Sequence, residues 1–259
     1  MRVRHRGSRA SNGRGFNGYE GFTLIELMIA LLIGVFLLGA LLTIVQTNRA
    51  VFGDQNKMAQ LQDAERMAMI MMSDVIQSAG YFPDPYTPQY NTLTGTLVAA
   101  APFAAAGQSI YGTYSSTAPG DQLSVRYMTA SGDNILNCSG QPNTSGANTL
   151  YVNTFQVLAG QLVCNMNGTQ YDLVGDGTTI VVTNLSVLYG VATAGTSNSV
   201  DTYMNASQVN ANPVLWNSVI SVMIQLTFLN PLYVAGQGQP QTIVLQRVVS
   251  VMNQSGPME

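Results

Sequence analysis

One acidic side chain stands inside a long apolar segment near the start of the chain. The segment runs from Phe22 to Val45, and Glu26 is its only charged residue. A carboxylate inside a membrane helix costs about 2.5 kcal/mol or more, so it normally has a partner or a function. A helix of this length is roughly 36 Å long, enough for the roughly 30 Å hydrocarbon core of a bilayer. The sequence therefore predicts a membrane-spanning helix whose acid needs a partner.

The residues in front of this acid follow a set spacing. Gly21 is followed by the aromatic Phe22, by Thr23, by two aliphatic residues and then by Glu26. This junction resembles the processing site of type IV prepilins and pseudopilins. The resemblance implies that prepilin peptidase cleaves between Gly21 and Phe22 and methylates the new N-terminus on Phe22.

Cleavage at this position would give Glu26 a specific partner. It leaves an ammonium on Phe22, and an isolated ammonium or carboxylate is costly in an apolar fibre core, whereas the pair compensates. We therefore expect Glu26 of one subunit to pair with the N-terminus of a neighbour during assembly. The alternative is that Glu26 reaches toward water or pairs within its own chain.

Basic residues are concentrated before the apolar segment, and they predict its orientation. Arginines beside a single span stay cytoplasmic, which places residues 1–21 in the cytoplasm and everything after Val45 beyond the inner membrane, in the periplasm. A secretory signal would be cut after its apolar core, whereas Gly21 precedes it, so the helix is expected to remain in the mature protein. Half of the cationic side chains lie in this leader: Arg2, Arg4, Arg6, Arg9 and Arg14.

The helix is expected to continue beyond the span as an amphipathic segment, residues 46–80. This stretch contains no proline, and its apolar residues recur at helical spacing. Gly80 and Pro83 are expected to end it. The apolar stripe is predicted to pack on the chain's own sheet, although its methionines also suit an adaptable docking surface: Met58, Leu61, Ala64, Ala68, Met71, Met72, Val75, Ile76 and Ala79.

The remaining residues, 81–259, predict a β-rich head. Residues 81–120 lack periodicity and read as a long loop or short irregular strands. Alternating or β-branched runs separated by Gly, Asn, Ser and Pro then predict strands at 123–127, 150–158, 180–191, 220–228 and 243–252. The predicted fold class is α+β: a long N-terminal helix packed against an antiparallel sheet, with a leader at 1–21, a transmembrane and assembly helix at 22–45, and an amphipathic helix at 46–80.

The only cysteines, Cys138 and Cys164, lie in the head on the side assigned to an oxidising compartment. A disulfide is the natural expectation, and its loop would stabilise the head by about 3.5 kcal/mol in the chain-entropy model. The sole histidine, His5, lies in the leader, so neither a usual zinc set nor a Ser-His-Asp triad can form in the head. No cofactor motif, small-molecule substrate site or basic nucleic-acid patch is recognisable, and we expect no enzyme.

Two head features allow a plain and a functional interpretation. Asp172 and Asp176 flank a Gly-rich turn that could suggest a calcium loop, but further oxygen ligands are lacking, and a plain turn is favoured. Trp216 could anchor an interface, although a core aromatic at the start of a strand is favoured.

Later segments resemble the minor pilins of the PilW family. That resemblance implies a subunit that joins other minor pilins, the major pilin and a candidate tip adhesin, primes pilus assembly at the tip, and supports adhesion and twitching motility. The segments that carry it are 63–66, 76–82, 188–191, 201–203, Trp216 with 221–224, and Arg247.

Two other classes remain open on the sequence alone. A J-type minor pseudopilin of a type II secretion system would share the processing site and fold plan. An uncleaved single-span membrane protein with a ligand-binding β head would keep its arginine leader. In the pilin interpretation, the loops at 81–120 and 192–213 are expected to specify partners.

Overall fold

The computed structural model describes residues 21–83, 93–193 and 199–252. The chain divides into two compact units, residues 1–52 and 53–259. One helix, α1 (Leu24–Gln77), contributes to both. The predicted leader lies outside the described residues, apart from Gly21. The predicted domain bounds at 45 and 80 remain a proposal about the membrane and the head.

The first unit presents an apolar helical surface. Nearly all of its side chains from Phe22 to Val45 are exposed. The hydroxyls of Thr43 and Thr47 donate to the carbonyls of Gly39 and Thr43, at 3.0 and 2.9 Å, so neither is left unpaired in this apolar setting. Among the described residues, α1 is the helix long and apolar enough to cross a membrane, judged by length and composition.

In the second unit, α1 buries the predicted stripe in the core of the head. Its members from Leu61 onward are mostly inaccessible to solvent, while Met58 and Ala64 are half-buried and pack against the core. Met71 is only half-buried and its place is taken by Met69, because the stripe drifts around the helix. The stripe is thus core packing: Leu61, Ala68, Met69, Met72, Val75, Ile76 and Ala79.

The end of α1 is fixed by a contact with the sheet. α1 ends at Gln77, and the predicted terminator Gly80 adopts a positive φ of 77°. Its N–H donates to the carbonyl of Arg126 at 3.0 Å. Only a residue without a Cβ adopts this conformation readily, so Gly80 turns the chain off the helix and onto the sheet.

Two antiparallel sheets form the head, where the sequence predicted one. The first has the order β1-β2-β3-β4-β5 and the second the order β7-β6-β8-β9. Their strands are β1 (Ile110–Thr113), β2 (Gln122–Thr129), β3 (Thr149–Leu158), β4 (Gln161–Met166), β5 (Thr169–Val174), β6 (Val182–Val191), β7 (Thr202–Met204), β8 (Val219–Leu229) and β9 (Thr242–Ser250).

The five predicted strands are present as β2, β3, β6, β8 and β9. β4, β5 and β7 were not predicted, whereas β1 lies in residues 81–120, for which the sequence allows short irregular strands. Both predicted loops contain regular structure: α2 (Leu93–Thr96) and β1 in the first, β7 and α3 (Ala206–Asn210) in the second, which leads into a 3₁₀ helix (Pro213–Ser218). The sequence did not predict these short polar elements, because they are stabilised by pairing with distant strands and not by an apolar pattern of their own.

A buried carboxylate links the two sheets just before β2. Asp121, 3% exposed, accepts the N–H of Ser115 and the N–H of Val187 in β6, both at 2.8 Å. The preceding Gly120 has a φ of 95°, and a Cβ there would collide with the carbonyl oxygen of Leu185. Glycine is therefore required at this contact between the residues that precede β2 and strand β6.

The disulfide predicted between Cys138 and Cys164 is present, and both residues are fully buried. It ties the loop after β2 to β4. The Cys138→Ala/Cys164→Ala double variant is expected to lose about 3.5 kcal/mol of unfolding free energy, because the unfolded chain regains the entropy of the closed loop. Urea unfolding of the detergent-solubilised chain, followed by Trp216 fluorescence, measures this loss.

The reduced wild-type chain serves as the control for this variant. It is expected to unfold at nearly the same urea concentration as the double-alanine variant. Equal midpoints for oxidised and reduced wild type would contradict a stabilising role for the bond.

Candidate processing and assembly site

The predicted processing residues lie at the start of α1, and the helix begins there because Thr23 caps it. The carbonyl of Thr23 accepts the N–H of Glu26 and of Leu27, at 3.1 and 3.2 Å. The N–H of Glu26 also lies 3.4 Å from the Thr23 hydroxyl. A threonine followed three residues later by a glutamate is the capping-box pattern, which satisfies amide donors at a helix start.

Gly21 and Phe22 directly precede this cap, and no other part of the described chain packs on them. A Cβ at Gly21 would meet nothing within 4 Å, and the side chain of Phe22 is 85% exposed. The described residues therefore leave the peptide bond between them uncovered. The structure thus brings Gly21, Phe22 and Glu26 together within one turn of the helix start.

Among the described residues, the side chain of Glu26 has one hydrogen-bond contact, with Thr23. The Thr23 hydroxyl lies 3.5 Å from its Oε2, at the limit of a hydrogen bond, and the side chain is exposed. This contact is too weak to neutralise a carboxylate in an apolar environment. Glu26 therefore keeps acceptor capacity for a cation from another chain, while the threonine contact is the local alternative.

A buried arginine in the head is the main feature that the sequence did not reveal. Arg126 in β2 is 1% exposed, and its guanidinium lies 4.4 Å from the ring centroid of Phe103. It donates to four backbone carbonyls between β2 and the preceding segment. Burial lowers the pKa of Arg126 to about 10. The acceptors are Leu97, Val98, Ala105 and Gln108, so this side chain holds residues 97–108 against the sheet.

Trp216 belongs to the core, as the favoured interpretation expected. It is 4% exposed, and its ring centroid lies 4.8 Å from that of Tyr189 and 5.4 Å from that of Tyr111. Its indole N–H donates to Oδ1 of Asn210 at 2.9 Å. The interface-anchor interpretation is wrong for this chain, because the ring has no surface to offer a partner.

The Gly-rich segment around Asp176 is a turn stabilised by its own aspartate. Oδ1 of Asp176 accepts the N–H groups of Thr178, Thr179 and Ile180 at 2.7 to 2.9 Å. These bonds hold the pKa of Asp176 well below its usual range. Asp172 lies apart in β5, hydrogen-bonded to Gln170. In the described part of the chain, no three His, Cys, Asp or Glu side chains are grouped to hold a metal.

A groove of about 680 Å³ opens beside the last turn of α1 in the second unit. It is lined by Asp74 of α1, by Ser78 just after the helix, and by Phe82, Leu136 and Met252. Its wall is mostly apolar with one carboxylate. If the chain were instead an uncleaved membrane protein with a ligand-binding head, this groove is where a ligand would be sought.

Two protein-family models match the chain, one in its C-terminal half and one at the start of the apolar helix. The family described as Type IV Pilus-assembly protein W matches residues 141–256. The Prokaryotic N-terminal methylation motif matches residues 17–42, which include Gly21, Phe22 and Glu26. No curated protein matches the chain. Among solved structures, the type IV-like pilin TTHA1219 from Thermus thermophilus is similar, with 11% identity, a TM-score of 0.44, and coverage of 76% of this chain and 98% of that one.

The two family matches and the α+β architecture support a type IV pilin, with an apolar N-terminal helix and an antiparallel β head. Within that class the chain is a PilW-like minor pilin of a type IV pilus. Membership of this class implies a structural subunit rather than an enzyme, a membrane anchor, and interaction with pilus components and the processing peptidase.

Proposed function

We propose that the chain is cleaved between Gly21 and Phe22 by prepilin peptidase, methylated on Phe22, and joined to other minor pilins to prime assembly of the fibre. The observation that carries the proposal is the start of α1. An uncovered Gly21–Phe22 bond stands directly before a capped helix whose apolar side chains are exposed from Phe22 to Val45. Such a surface is stable only in lipid or against other helices of the same kind.

Glu26 is the residue that we propose to act in assembly. Glu26 stands four residues after the N-terminus that cleavage would create, and among the described residues its carboxylate has only the weak Thr23 contact. Entry of a new subunit into the fibre would bring the ammonium of one Phe22 to the Glu26 of a neighbour. That pairing favours a staggered arrangement of helices over random association, since an unpaired charge in the fibre core is costly.

Location and later roles follow from the same proposal. The leader at 1–21 would face the cytoplasm, the helix at 22–45 would cross the inner membrane, and the head would lie in the periplasm until assembly carries it to the pilus tip. The major pilin and a tip adhesin are further candidate partners. Adhesion and twitching motility would then depend on this chain indirectly, through the number of fibres.

Deletion of the gene tests the function and separates it from the pseudopilin alternative. The deletion strain is expected to lose most surface pili and to regain them with the wild-type chain, while secretion of exoproteins is unchanged. Pili are sheared from the cells and quantified by immunoblot of the major pilin. Normal piliation together with a secretion defect would instead identify a pseudopilin of a type II secretion system.

A further inference from the structure

Strand β9 leaves one edge of the second sheet open. It is last in the order β7-β6-β8-β9 and pairs with β8 from Leu229↔Thr242 to Ser221↔Ser250 without a register shift. In the part of the chain that the structure describes, its other edge pairs with no strand. The other terminal strands are less suited to pairing, because β1 and β7 have four and three residues and β5 carries Asp172.

The backbone groups on this open edge can be assigned from the bonds that flank β9. The N–H of Val251 donates to Ile220, and the carbonyl of Gln241 accepts from Asn230, both between directly opposed residues. Hydrogen-bonded and non-hydrogen-bonded pairs alternate along an antiparallel ladder. The odd-numbered residues therefore face β8, while Val244, Gln246 and Val248 direct their N–H and C=O groups outward.

The side chains on these positions are uncharged and partly apolar. Val244 and Val248 are 52% and 49% exposed, and between them Gln246 donates to the Sδ of Met223 at 3.1 Å. The sequence has no charged residue from 202 to 246. Edge strands are usually protected by Lys, Pro or a bulge, and β9 has none of these. The one charged residue of β9 is Arg247, and the outward-facing positions Val244, Gln246 and Val248 are uncharged. A long and regular edge of this kind is suited to pairing with another strand.

One cation determines what kind of strand fits. Arg247 points to the opposite face from Val244 and Val248, where its Nη1 lies 3.4 Å from the hydroxyl of Ser73. Among the described residues it forms no salt bridge. Arg247 is exposed, and a second copy of β9 would bring no acid beside it, since β9 contains none, whereas opposite charges on neighbouring strands attract. The complementary strand must carry an acid and therefore comes from a different chain.

We propose that β9 pairs with an extended strand from the head of another pilin subunit. This inference deepens the proposed assembly function and rests on it for the class of partner. The partner strand would present apolar residues beside Val244 and Val248, an uncharged residue beside Gln246, and on its other face an acid beside Arg247. Backbone bonds supply the attraction in such strand addition, and the side-chain positions supply the choice of partner.

Photocrosslinking in the native membrane tests the contact directly. The full-length chain carries p-benzoylphenylalanine in place of Gln246, and adducts are identified by mass spectrometry of the crosslinked peptides. We expect an adduct with another chain that bears a prepilin processing motif, through a β-strand peptide that contains an acid. The same crosslinker in place of Val214, which is 73% exposed on the 3₁₀ helix, is the positional control and should give no such adduct.

Edge-blocking variants show whether strand pairing causes the adduct. Added to the crosslinker chain, Val244→Lys/Val248→Lys is expected to lower its yield about tenfold, equivalent to about 1.4 kcal/mol. The matched control Val214→Lys should leave it unchanged. In a chain with the crosslinker in place of Val244, Gln246→Pro removes an outward N–H without breaking the β8 ladder and should act like the lysines. Trp216 fluorescence verifies the fold of each variant.

The outcomes separate this inference from the proposed function. A wild-type chain that is matured and found in fibres, yet gives no pilin adduct at position 246, overturns the β9 contact alone. So does an adduct only with a second copy of the chain, or a yield that ignores the lysines. A chain that retains its leader and is absent from fibres overturns the assembly function itself.

Discussion

Glu26→Leu is expected to leave cleavage at Gly21 intact and to remove the chain from sheared fibres. The variant is more apolar and still spans the membrane, but it leaves the ammonium of an incoming Phe22 without its carboxylate. Breaking one side of a buried ion pair costs about 3 to 5 kcal/mol, so incorporation should fall by about 100-fold or more. Immunoblots of the membrane and sheared-fibre fractions measure the ratio, and mass spectrometry of the membrane fraction reports processing.

The capping contact at Thr23 provides the matched control. Thr23→Ala removes the cap hydroxyl and the 3.5 Å contact with Glu26 but keeps the carboxylate. Loss of a threonine cap costs about 1 kcal/mol of helix stability, so a processed Thr23→Ala chain should still enter fibres. Equal defects in the two processed variants would indicate that Glu26 acts through the helix cap. Wild-type incorporation of Glu26→Leu would contradict the pairing.

Arg126→Met is expected to cost the head about 3 kcal/mol or more of unfolding free energy. Methionine preserves much of the volume but removes the guanidinium from all four carbonyls. Those of Leu97 and Ala105 keep a backbone donor. Those of Val98 and Gln108 lose the Arg126 bond, at about 1 to 3 kcal/mol for each one that stays buried. Residues 97–108 should then detach from β2, since these bonds connect them. Urea unfolding followed by Trp216 fluorescence measures the loss, and limited proteolysis locates it.

Two further substitutions identify the cause of the Arg126 effect. Arg126→Lys keeps a positive charge but offers a compact ammonium instead of a planar fork, so it should be nearly as destabilising. Arg66→Met removes an arginine that is exposed on α1 and should change the unfolding free energy by no more than about 0.5 kcal/mol. Full stability in Arg126→Lys would show that charge, rather than the directed hydrogen bonds, is what the site requires.

The sequence was most informative where few physical solutions exist. A long apolar segment with a single acid can hardly be anything but a membrane or fibre helix, and the spacing of Gly21, Thr23 and Glu26 defines its start. The stripe beyond Leu61 was predicted because burial on one face of a helix demands that period. β6 and β8 were predicted for the same reason, since their β-branched residues pack into the core. In β9 this holds for Val249 and in part for Ile243.

The burial of Arg126 and the presence of a second sheet could not be predicted from the sequence, for related reasons. In β2, Arg126 alternates with Val125 and Tyr127, a pattern that predicts a solvent-facing arginine. The structure instead buries both faces of β2, because the segment around Leu97 and Phe103 covers the second one. The residue pattern of that segment does not predict that it packs on β2. The division into two sheets depends on the Gly120–Asp121 crossing, a long-range contact that no local pattern encodes.

N-terminal mass spectrometry of the chain from its native membranes, beside a strain that lacks prepilin peptidase, tests maturation most directly. A mature chain that begins with N-methylated Phe22 in the wild type, and an intact leader in the peptidase-deficient strain, is the predicted result. An intact leader in both strains would contradict it, would leave Glu26 without its proposed partner, and would favour an uncleaved membrane protein whose β head binds a ligand.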